Sequence, residues 1–341
     1  MINLISFLIV ISISVIFHEG GHYIAAKFRH VFVHEFSFGM GPSIFSKKFG
    51  ETLWSFRALP IGGYVKLEGE DNENQTKIID STKSLNNKDP WERLLIIVSG
   101  AFVNISLAII LTAFYLSANG IYNLETPVIG KIVTDTPAAI SGILEGDKIL
   151  SINGESVNEW KDISRIINNN KLTKNVFEVE LNRNLHNIKV YPEIKLNNNR
   201  RILGVQPSKI DLNIFESFYK SFSYTFNMGY LILKDIIELV MGRVKGEVVG
   251  PVGIAIIAGD AIKQGFWSFI TFLAVINLHL GLLNLLPFPA LDGGRAIFIV
   301  IELITGKKLS QKNEGMIHYI GFIFLIFLMI FITFKDIMKL F

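Results

Sequence analysis

Four long apolar stretches, separated by polar ones, dominate the pattern of this chain. A helix needs about 20 apolar residues to cross the ~30 Å hydrocarbon core of a bilayer. Runs of about this length, almost free of charged residues, predict four transmembrane helices. We place these helices at residues 3–25, 93–118, 266–287 and 316–338.

The first apolar run follows directly after Met1, where a secretory signal peptide would also lie. The run has no basic residues ahead of it and no clear cleavage site between small residues. We therefore interpret it as a retained first transmembrane helix.

The region between the first two helices, residues 26–92, combines a glycine-rich, β-prone core with a polar loop. Gly62-Gly63 is followed by the alternating segment Tyr64–Leu67, a pattern that predicts a bend into a short strand. The stretch from residue 68 to 88 is acidic and rich in asparagine. We expect a membrane-associated β region followed by a mobile polar loop.

Residues 121–207 have the character of a small soluble α/β module inserted after the second helix. Their order is a strand, a short helix beginning at Pro137, a Gly146-Asp147 turn, a strand, an Asn153-Gly154 hairpin turn and a helix. This order resembles a PDZ domain of the bacterial type. Such domains bind an extended peptide at a sheet edge, and a spacer that only filters by size is the alternative.

Residues 213–265 form an apolar but interrupted region before the third helix. Within it, the segment from Ile214 to Met241 contains charged residues at several positions. This pattern favours an amphipathic helix at the membrane interface, and a fifth transmembrane helix is the alternative. The whole pattern predicts a polytopic α-helical membrane protein of about four transmembrane helices, with an inserted α/β PDZ domain and a membrane-associated β region.

Composition agrees with a membrane protein and excludes several functions. Hydrophobic residues make up 50% of the chain, and charged residues only 18%. The mean hydropathy is +0.41. The net charge of +3 gives no case for a nucleic-acid partner, and the absence of cysteine excludes disulfides, thiolate metal sites and a cysteine nucleophile.

The sequence His18-Glu19-Gly20-Gly21-His22 lies at the end of the first apolar run. On a helix, the HExxH spacing places two imidazoles one turn apart, where both can bind one metal ion, with the glutamate close to a bound water. A helix end with two interfacial histidines and a snorkelling glutamate is the alternative. Ionisable residues within a membrane segment are costly and usually functional, which favours the metal site.

A catalytic zinc site needs a third protein ligand besides the two histidines. Asp292 supplies a candidate, in the segment from Asn284 to Gly294 that follows the third helix. Pro287 and Pro289 end that helix, and we expect a loop and a short helix over residues 288–315. Capping of this short helix by Asp292 is the alternative reading.

These motifs together resemble the site-2 protease family of bacterial intramembrane zinc metalloproteases. The resemblance rests on HExxH in the first helix, NxxPxPxLDGG after the third and the PDZ-like module between them, and it extends over nearly the whole chain. Further matching segments are 38–71, 90–105 and 250–255. The resemblance implies hydrolysis of peptide bonds within transmembrane segments of single-span membrane proteins, such as anti-sigma factors or remnant signal peptides.

The expected site then has four groups with separate roles. Zn²⁺, the expected cofactor, is held by His18, His22 and Asp292, and Glu19 acts as general base. The resemblance implies that Asn284 hydrogen-bonds the substrate backbone. A locally unwound substrate would add to the edge of the strand that includes Gly62, Gly63, Tyr64 and Val65.

The chain departs from the family pattern at three points. It has room for one PDZ domain, whereas better-known members have two. The segment from Gly100 to Asn104 lacks the proline of the family's GPxxN motif, and His279 stands where many relatives have asparagine. For His279 we favour an interhelical hydrogen bond over a substrate-holding role or a fourth metal ligand.

Basic residues predict the orientation. The connection between the third and fourth helices contains Arg295, Lys307, Lys308 and Lys312, which favours the cytoplasmic side. The metal site then lies near the cytoplasmic face of the bacterial inner membrane, with the PDZ module outside.

A catalytically silent adaptor and a metal transporter are the alternatives to a protease. A catalytically silent adaptor would use its PDZ domain to hold peptides, but a missing ligand would then be expected, and none is missing. A metal transporter would line a path with histidine and aspartate. Internal repeats would then be expected, and we see none in the sequence.

Overall fold

The computed structural model describes residues 2–70, 81–169, 176–193, 196–197, 200–243 and 248–339. Residues 71–80, at the centre of the predicted polar loop, lie outside the described ranges. The chain forms two compact units. One comprises Met1–Tyr115 and Phe218–Phe341, and the other is Leu116–Ser217.

Nine helices are formed by the described residues. They are α1 (Ile2–Phe28), α2 (Pro90–Asn119), α3 (Pro137–Ile140), α4 (Trp160–Asn169), α5 (Ile214–Val240), α6 (Pro251–Gln264), α7 (Phe266–Asn284), α8 (Asp292–Thr305) and α9 (Gln311–Met338). Two short 3₁₀ turns, Ser81–Lys83 and Leu85–Asn87, precede α2.

Four helices in the described part of the chain are long and apolar enough to cross a membrane. They cover Ile2–Phe28, Pro90–Asn119, Phe266–Asn284 and Lys312–Met338. Each of the four apolar runs thus forms a helix, as predicted, and each helix has the length and composition of a membrane span. Three of them extend beyond the predicted bounds because helical structure continues into the polar flanks. The third ends earlier, at Asn284, shortly before Pro287.

In the larger unit, the described residues form one sheet, from β1 (Val33–Phe49) and β2 (Thr52–Leu67). Phe36 lies opposite both Val65 and Trp54, so the first half of β1 lies between the two halves of β2. The second half of β1 pairs with the first half of β2, as Phe49 with Thr52. Consequently the second half of β2 lies at an edge of this sheet among the described strands. This edge contains the predicted strand that begins at Gly62-Gly63.

The helices of the larger unit pack at points where small residues allow close approach. Gly21 of α1 is so close to Ser99 of α2 that an added Cβ would be 2.5 Å from the Ser99 carbonyl oxygen. Gly281 of α7 similarly approaches the backbone of Ala101, where the corresponding distance is 2.9 Å. Such close crossings are typical of helices packed in membranes.

Helix α5, in the region predicted to be an interfacial amphipathic segment, packs along α2 and α7. Ile232 of α5 is buried against Ala108 and Leu278. The opposite face of α5 leaves large aromatic side chains exposed, including Phe215 and Tyr219.

The smaller unit is an α/β module with its own core. Its described strands are β3 (Ile121–Tyr122), β4 (Ile129–Ile132), β5 (Lys148–Ile152), β6 (Glu155–Ser156), β7 (Val179–Arg183), β8 (His186–Val190), β9 (Leu196–Asn197), β10 (Arg200–Arg201), β11 (Val205–Pro207) and β12 (Lys209–Ile210). The main sheet has the order β6-β5-β7-β8, and β4 pairs with β11. Ile149, Phe177 and Val179 are among its fully buried core residues.

Two local predictions for this unit are confirmed. The short helix begins at Pro137. The Asn153-Gly154 pair has positive φ angles of 50° and 79° and joins β5 to β6, as expected for a two-residue hairpin turn.

Candidate metal centre

Three side chains from two distant parts of the chain converge at one point of the larger unit. His18 and His22 lie one turn apart on α1, and Asp292 is the first residue of α8. Asp292 Oδ2 lies 3.2 Å from His18 Nε2 and 3.4 Å from His22 Nε2. The two Nε2 atoms are 3.3 Å apart. Among the described residues, these three form the group of side chains placed to hold a metal ion.

The dimensions of this triangle fit a zinc ion. Tetrahedral zinc, with ligand distances of about 2.0–2.1 Å, places its ligand atoms about 3.3–3.4 Å from one another. The three measured separations of 3.2, 3.3 and 3.4 Å agree with that geometry. Asp292 Oδ2 is buried, and the described residues give it no hydrogen-bond partner. The residues therefore fit a cation that would bind all three atoms at once.

The orientation of His22 is set by its other ring nitrogen. His22 Nδ1 lies 2.8 Å from the carbonyl oxygen of Ile96 in α2. Because a carbonyl oxygen only accepts hydrogen bonds, Nδ1 must carry the proton. In the neutral ring, Nε2 then has its lone pair directed at the centre of the triangle. A backbone carbonyl in this position is a common partner of metal-binding histidines.

Gly100 of α2 provides the space for the histidine pair. A Cβ at this position would be 2.4 Å from His22 Nε2 and 2.8 Å from His18 Cε1. The segment from Gly100 to Asn104, which lacks the family's proline, thus keeps the glycine that the two rings require. The sequence analysis missed this contact, since no periodic pattern indicates which helix lies over the histidines.

The loop that ends at Asp292 is tightly folded. Cβ atoms on Gly293 and Gly294 would be 2.2 Å from the Leu286 oxygen and 2.3 Å from the Phe288 oxygen, so only glycine fits at either position. Leu291, not Asp292, is the N-cap residue of α8, and its side chain makes no capping hydrogen bond. The alternative in which Asp292 serves as the cap is therefore wrong, and its carboxylate is directed to the histidines instead.

Glu19 lies close both to the three converging side chains and to the second half of β2. Its side chain interacts electrostatically with His22, His18 and Asp292. A Cβ on Gly63 would be 3.5 Å from Glu19 Cγ. The Glu19 side chain thus lies next to the second half of β2, and its charge acts on the three converging side chains, an arrangement compatible with a general base.

The remaining predicted site residues lie in two groups. Asn284, the last residue of α7, has its Nδ2 3.4 Å from His18 Nε2 and 3.5 Å from His18 Nδ1. Gly62, Gly63 and Val65 are on the edge portion of β2, half-buried beside α1. Asn284 is therefore brought to His18, and Gly63 lies next to Glu19, whereas Val65 packs against the apolar cluster that includes Val31 and Ile96.

Tyr64 makes a different contact from its neighbours on β2. Its side chain is hydrogen-bonded to Glu35, and its ring lies 5.2 Å from the guanidinium of Arg57. Burial and the hydrogen bond to Glu35 raise the pKa of Tyr64 to about 12. The structure thus gives the Tyr64 hydroxyl a partner within the sheet, and the backbone of this residue remains at the edge.

His279 makes a hydrogen bond within its own helix. Its Nδ1 lies 2.9 Å from the carbonyl oxygen of Val275, four residues earlier in α7. Nδ1 is therefore the donor, and this contact differs from the interhelical hydrogen bond that we favoured. His279 does not belong to the converging group in the described part of the chain.

Two ion pairs made by residues of α8 were not foreseen. Arg295, three residues after Asp292, pairs with Glu70, which follows β2. Arg93 of α2 pairs with Glu302 of α8 at 2.5 Å, and both side chains are largely buried. The sequence shows charged residues in α8, such as Arg295 and Glu302, but it does not indicate which residues they pair with.

Comparison with known proteins places the chain in a class. The model of peptidase family M50 matches residues 6–328. A protein of Clostridium acetobutylicum, whose name marks it provisionally as a zinc metalloprotease, is 35% identical over 337 residues, which cover 98% of this chain and 97% of that protein.

Two relatives carry the name RasP. Zinc metalloprotease RasP of Geobacillus kaustophilus is 29% identical and covers 99% of this chain and 98% of its own length. Regulator of sigma-W protease RasP of Bacillus subtilis is 28% identical and covers 99% of both chains.

The length of the family match and the names of these relatives identify the chain as a zinc metalloprotease of the site-2 type. The chain belongs to peptidase family M50, the site-2 protease family, and its four apolar helices make it a multi-pass membrane protein.

Proposed function

We propose that this protein is an intramembrane endopeptidase that cuts membrane-anchored substrates within their transmembrane segments. The observation that carries the proposal is the triangle of His18, His22 and Asp292, because two of its members lie on a helix able to span the membrane. In this proposal these three residues are the zinc ligands, and Glu19 is the catalytic base.

The residues divide the chemistry between them. Zinc, when bound, supplies a Lewis acid that polarises the scissile carbonyl and increases the acidity of water. Glu19 takes a proton from the attacking water and donates it to the nitrogen of the leaving amine. The Ile96 carbonyl holds His22 in the tautomer that leaves Nε2 free to bind.

Substrate binding requires local unwinding, because a helical substrate hides its peptide groups in its own hydrogen bonds. The edge portion of β2, with Gly62, Gly63, Tyr64 and Val65, pairs with such an unwound segment through its backbone. The position of Glu19 next to Gly63 supports this placement. Asn284, close to His18, donates a hydrogen bond to the substrate backbone.

For the smaller unit we propose a PDZ domain over residues 121–207 that lies outside the cytoplasm. Its strand order, its short helix at Pro137 and its Asn153-Gly154 hairpin support this assignment. We infer that it contacts a substrate peptide, or excludes substrates whose outer domain has not been removed. Equal cleavage rates for full-length and pre-trimmed substrates would refute the exclusion role.

The protein is proposed to lie in the bacterial inner membrane, with the metal centre near the cytoplasmic face. The basic residues Arg295, Lys307 and Lys308, in the connection between the third and fourth candidate spans, and Lys312, at the start of the fourth, support this orientation. The substrates proposed are single-span proteins such as anti-sigma factors or remnant signal peptides. The name of the B. subtilis relative, which links it to sigma-W regulation, supports the first of these classes.

The decisive experiment compares the purified protein with Glu19→Gln on a panel of single-span substrates in detergent. Mass spectrometry locates the cut, and elemental analysis counts zinc. We expect a cut inside the apolar segment that disappears in the variant while one zinc per chain is retained. Retained activity in the variant would refute the role of Glu19. A protein without zinc or activity would favour the adaptor, and readily exchangeable metal would favour a transporter.

A further inference from the structure

Helix α9, the fourth candidate span, contacts the loop between α7 and α8. Three residues spaced three apart on α9 make the contact. A Cβ on Gly321 would be 2.4 Å from Pro289 Cβ, and the Phe324 ring lies 5.7 Å from that of Phe288. The third residue, His318, makes the polar contact.

The His318 ring accepts a hydrogen bond from the loop backbone. The N–H of Ala290 donates to His318 Nδ1 at 2.9 Å. Ala290 has a φ of 76°, in the left-handed region that residues other than glycine rarely adopt. A backbone in this conformation persists only where its surroundings hold it, and Asp292 follows two residues later.

No other hydrogen bond of the ring is found among the described residues, and Arg295 is a charged group that acts on the ring electrostatically. His318 Nε2 is buried without a hydrogen-bond partner, and the ring packs edge-on against Phe298 at 5.8 Å. Because Nδ1 accepts, the neutral ring carries its proton on the unpartnered Nε2. Among the described residues, the hydrogen bond from Ala290 is thus the one that this ring makes.

We propose that His318 is a positioning residue for Asp292. By accepting from Ala290, it fixes the strained loop in the conformation that directs the Asp292 carboxylate at His18 and His22. This inference rests on the proposed function, in which Asp292 is a zinc ligand. It assigns to α9 a part in the geometry of the metal centre, although α9 contributes no residue to the converging group of described side chains.

The test uses two variants of the full chain that separate the acceptor from the volume of the ring. In His318→Asn, the amide oxygen can take the place of Nδ1. In His318→Phe, the ring volume remains and the acceptor is lost. Phe327→Leu, on an exposed part of the same helix, is the matched control.

The readouts are the visible absorption spectrum of the Co²⁺-substituted protein, the rate of metal release to a chelator, and kcat and KM. For His318→Phe we expect an altered spectrum, metal release faster by about 10- to 100-fold and a lower kcat at similar KM. His318→Asn and Phe327→Leu should remain close to the unmodified protein. If His318→Phe is not monodisperse, His318→Leu is the second variant without an acceptor.

The outcomes distinguish this inference from the proposed function. An unchanged spectrum and release rate in His318→Phe would overturn the inference, as would equal losses in His318→Phe and His318→Asn. Asp292→Asn is measured beside them. If that variant keeps the original spectrum and metal affinity, Asp292 is not a ligand, and it is the proposed function that fails.

Discussion

Gly100 and His22 lie in such close contact that a single added carbon at Gly100 would be 2.4 Å from the Nε2 atom of the histidine. The two residues belong to different apolar helices, α2 and α1. The same carbon would be 2.8 Å from His18 Cε1. The second helix therefore forms a wall of the metal centre by having no side chain at this position.

This contact predicts that Gly100→Ala disrupts the centre without unfolding the protein. The new methyl group must displace at least one imidazole, because separations of 2.4 and 2.8 Å are too short for non-bonded carbon contacts. We expect zinc content to fall and proteolytic activity to drop by about 100-fold or more. Metal analysis and a cleavage assay measure both, and circular dichroism should show unchanged helix content. Full zinc occupancy with full activity would contradict the assigned geometry.

The two glycines within HExxH should differ sharply in their tolerance of alanine. A Cβ on Gly21 would be 2.5 Å from the Ser99 oxygen, whereas one on Gly20 meets nothing within 4 Å. Gly21→Ala should force α1 and α2 apart and lower both thermal stability and activity. Gly20→Ala should preserve activity and stabilise the helix by about 0.5–1 kcal/mol. Thermal unfolding in detergent and the cleavage assay compare this pair directly, and equal behaviour of both variants would refute the packing argument.

The smaller unit should lose stability in acid through Asp147. Burial opposes the charged form, but hydrogen bonds from Arg183 and the Leu144 N–H outweigh it and hold the pKa of Asp147 below its usual range. The unfolded chain therefore binds this proton more readily. The contribution is complete above the unfolded pKa of about 3.9 and is lost as the pH falls through the lower folded value.

Hydrogen exchange of residues 144–152 and 179–183, followed by mass spectrometry between pH 6 and pH 3, measures this effect. We expect the protection factors, which are corrected for the intrinsic exchange rate at each pH, to stay constant above the unfolded pKa of Asp147 and to fall as the pH decreases below it. Asp147→Asn should be less protected already at pH 6, because Arg183 and the Leu144 N–H lose their charged acceptor. Its protection factors should also depend less on pH. An unchanged pH dependence in this variant would contradict the role of Asp147.

The parts of the site that sequence reasoning predicted are those set by local rules. His18 and His22 meet because residues four apart share a helix face. Asp292 was found because prolines and glycines around it exclude an ordinary helix. In each case the relevant signal lies within a dozen residues of the functional group.

The contacts that were not predicted depend on which elements are neighbours. Nothing in the sequence around Gly100 states that α2 crosses over the histidines, and His318 in an apolar helix gave only the general signal of an intramembrane ionisable residue. The pairing of Phe36 with both Val65 and Trp54 likewise requires the register of a folded sheet. These relationships are long-range, and periodicity carries no information on them.

The ion pair between Arg295 and Glu70 should couple the sheet edge to the metal centre. Arg295 lies one turn after Asp292 on α8, and Glu70 follows the β2 strand that borders Glu19. Reversing either charge, in Arg295→Glu or Glu70→Arg, places like charges together and should reduce cleavage by about tenfold, mainly through KM. The double reversal should recover most of the loss, since coupled partners are non-additive. A matched swap at the exposed pair Asp260 and Lys263, distant in sequence from the site, should have no effect. If the double reversal is no better than the two single variants, the charges act separately and the coupling is wrong.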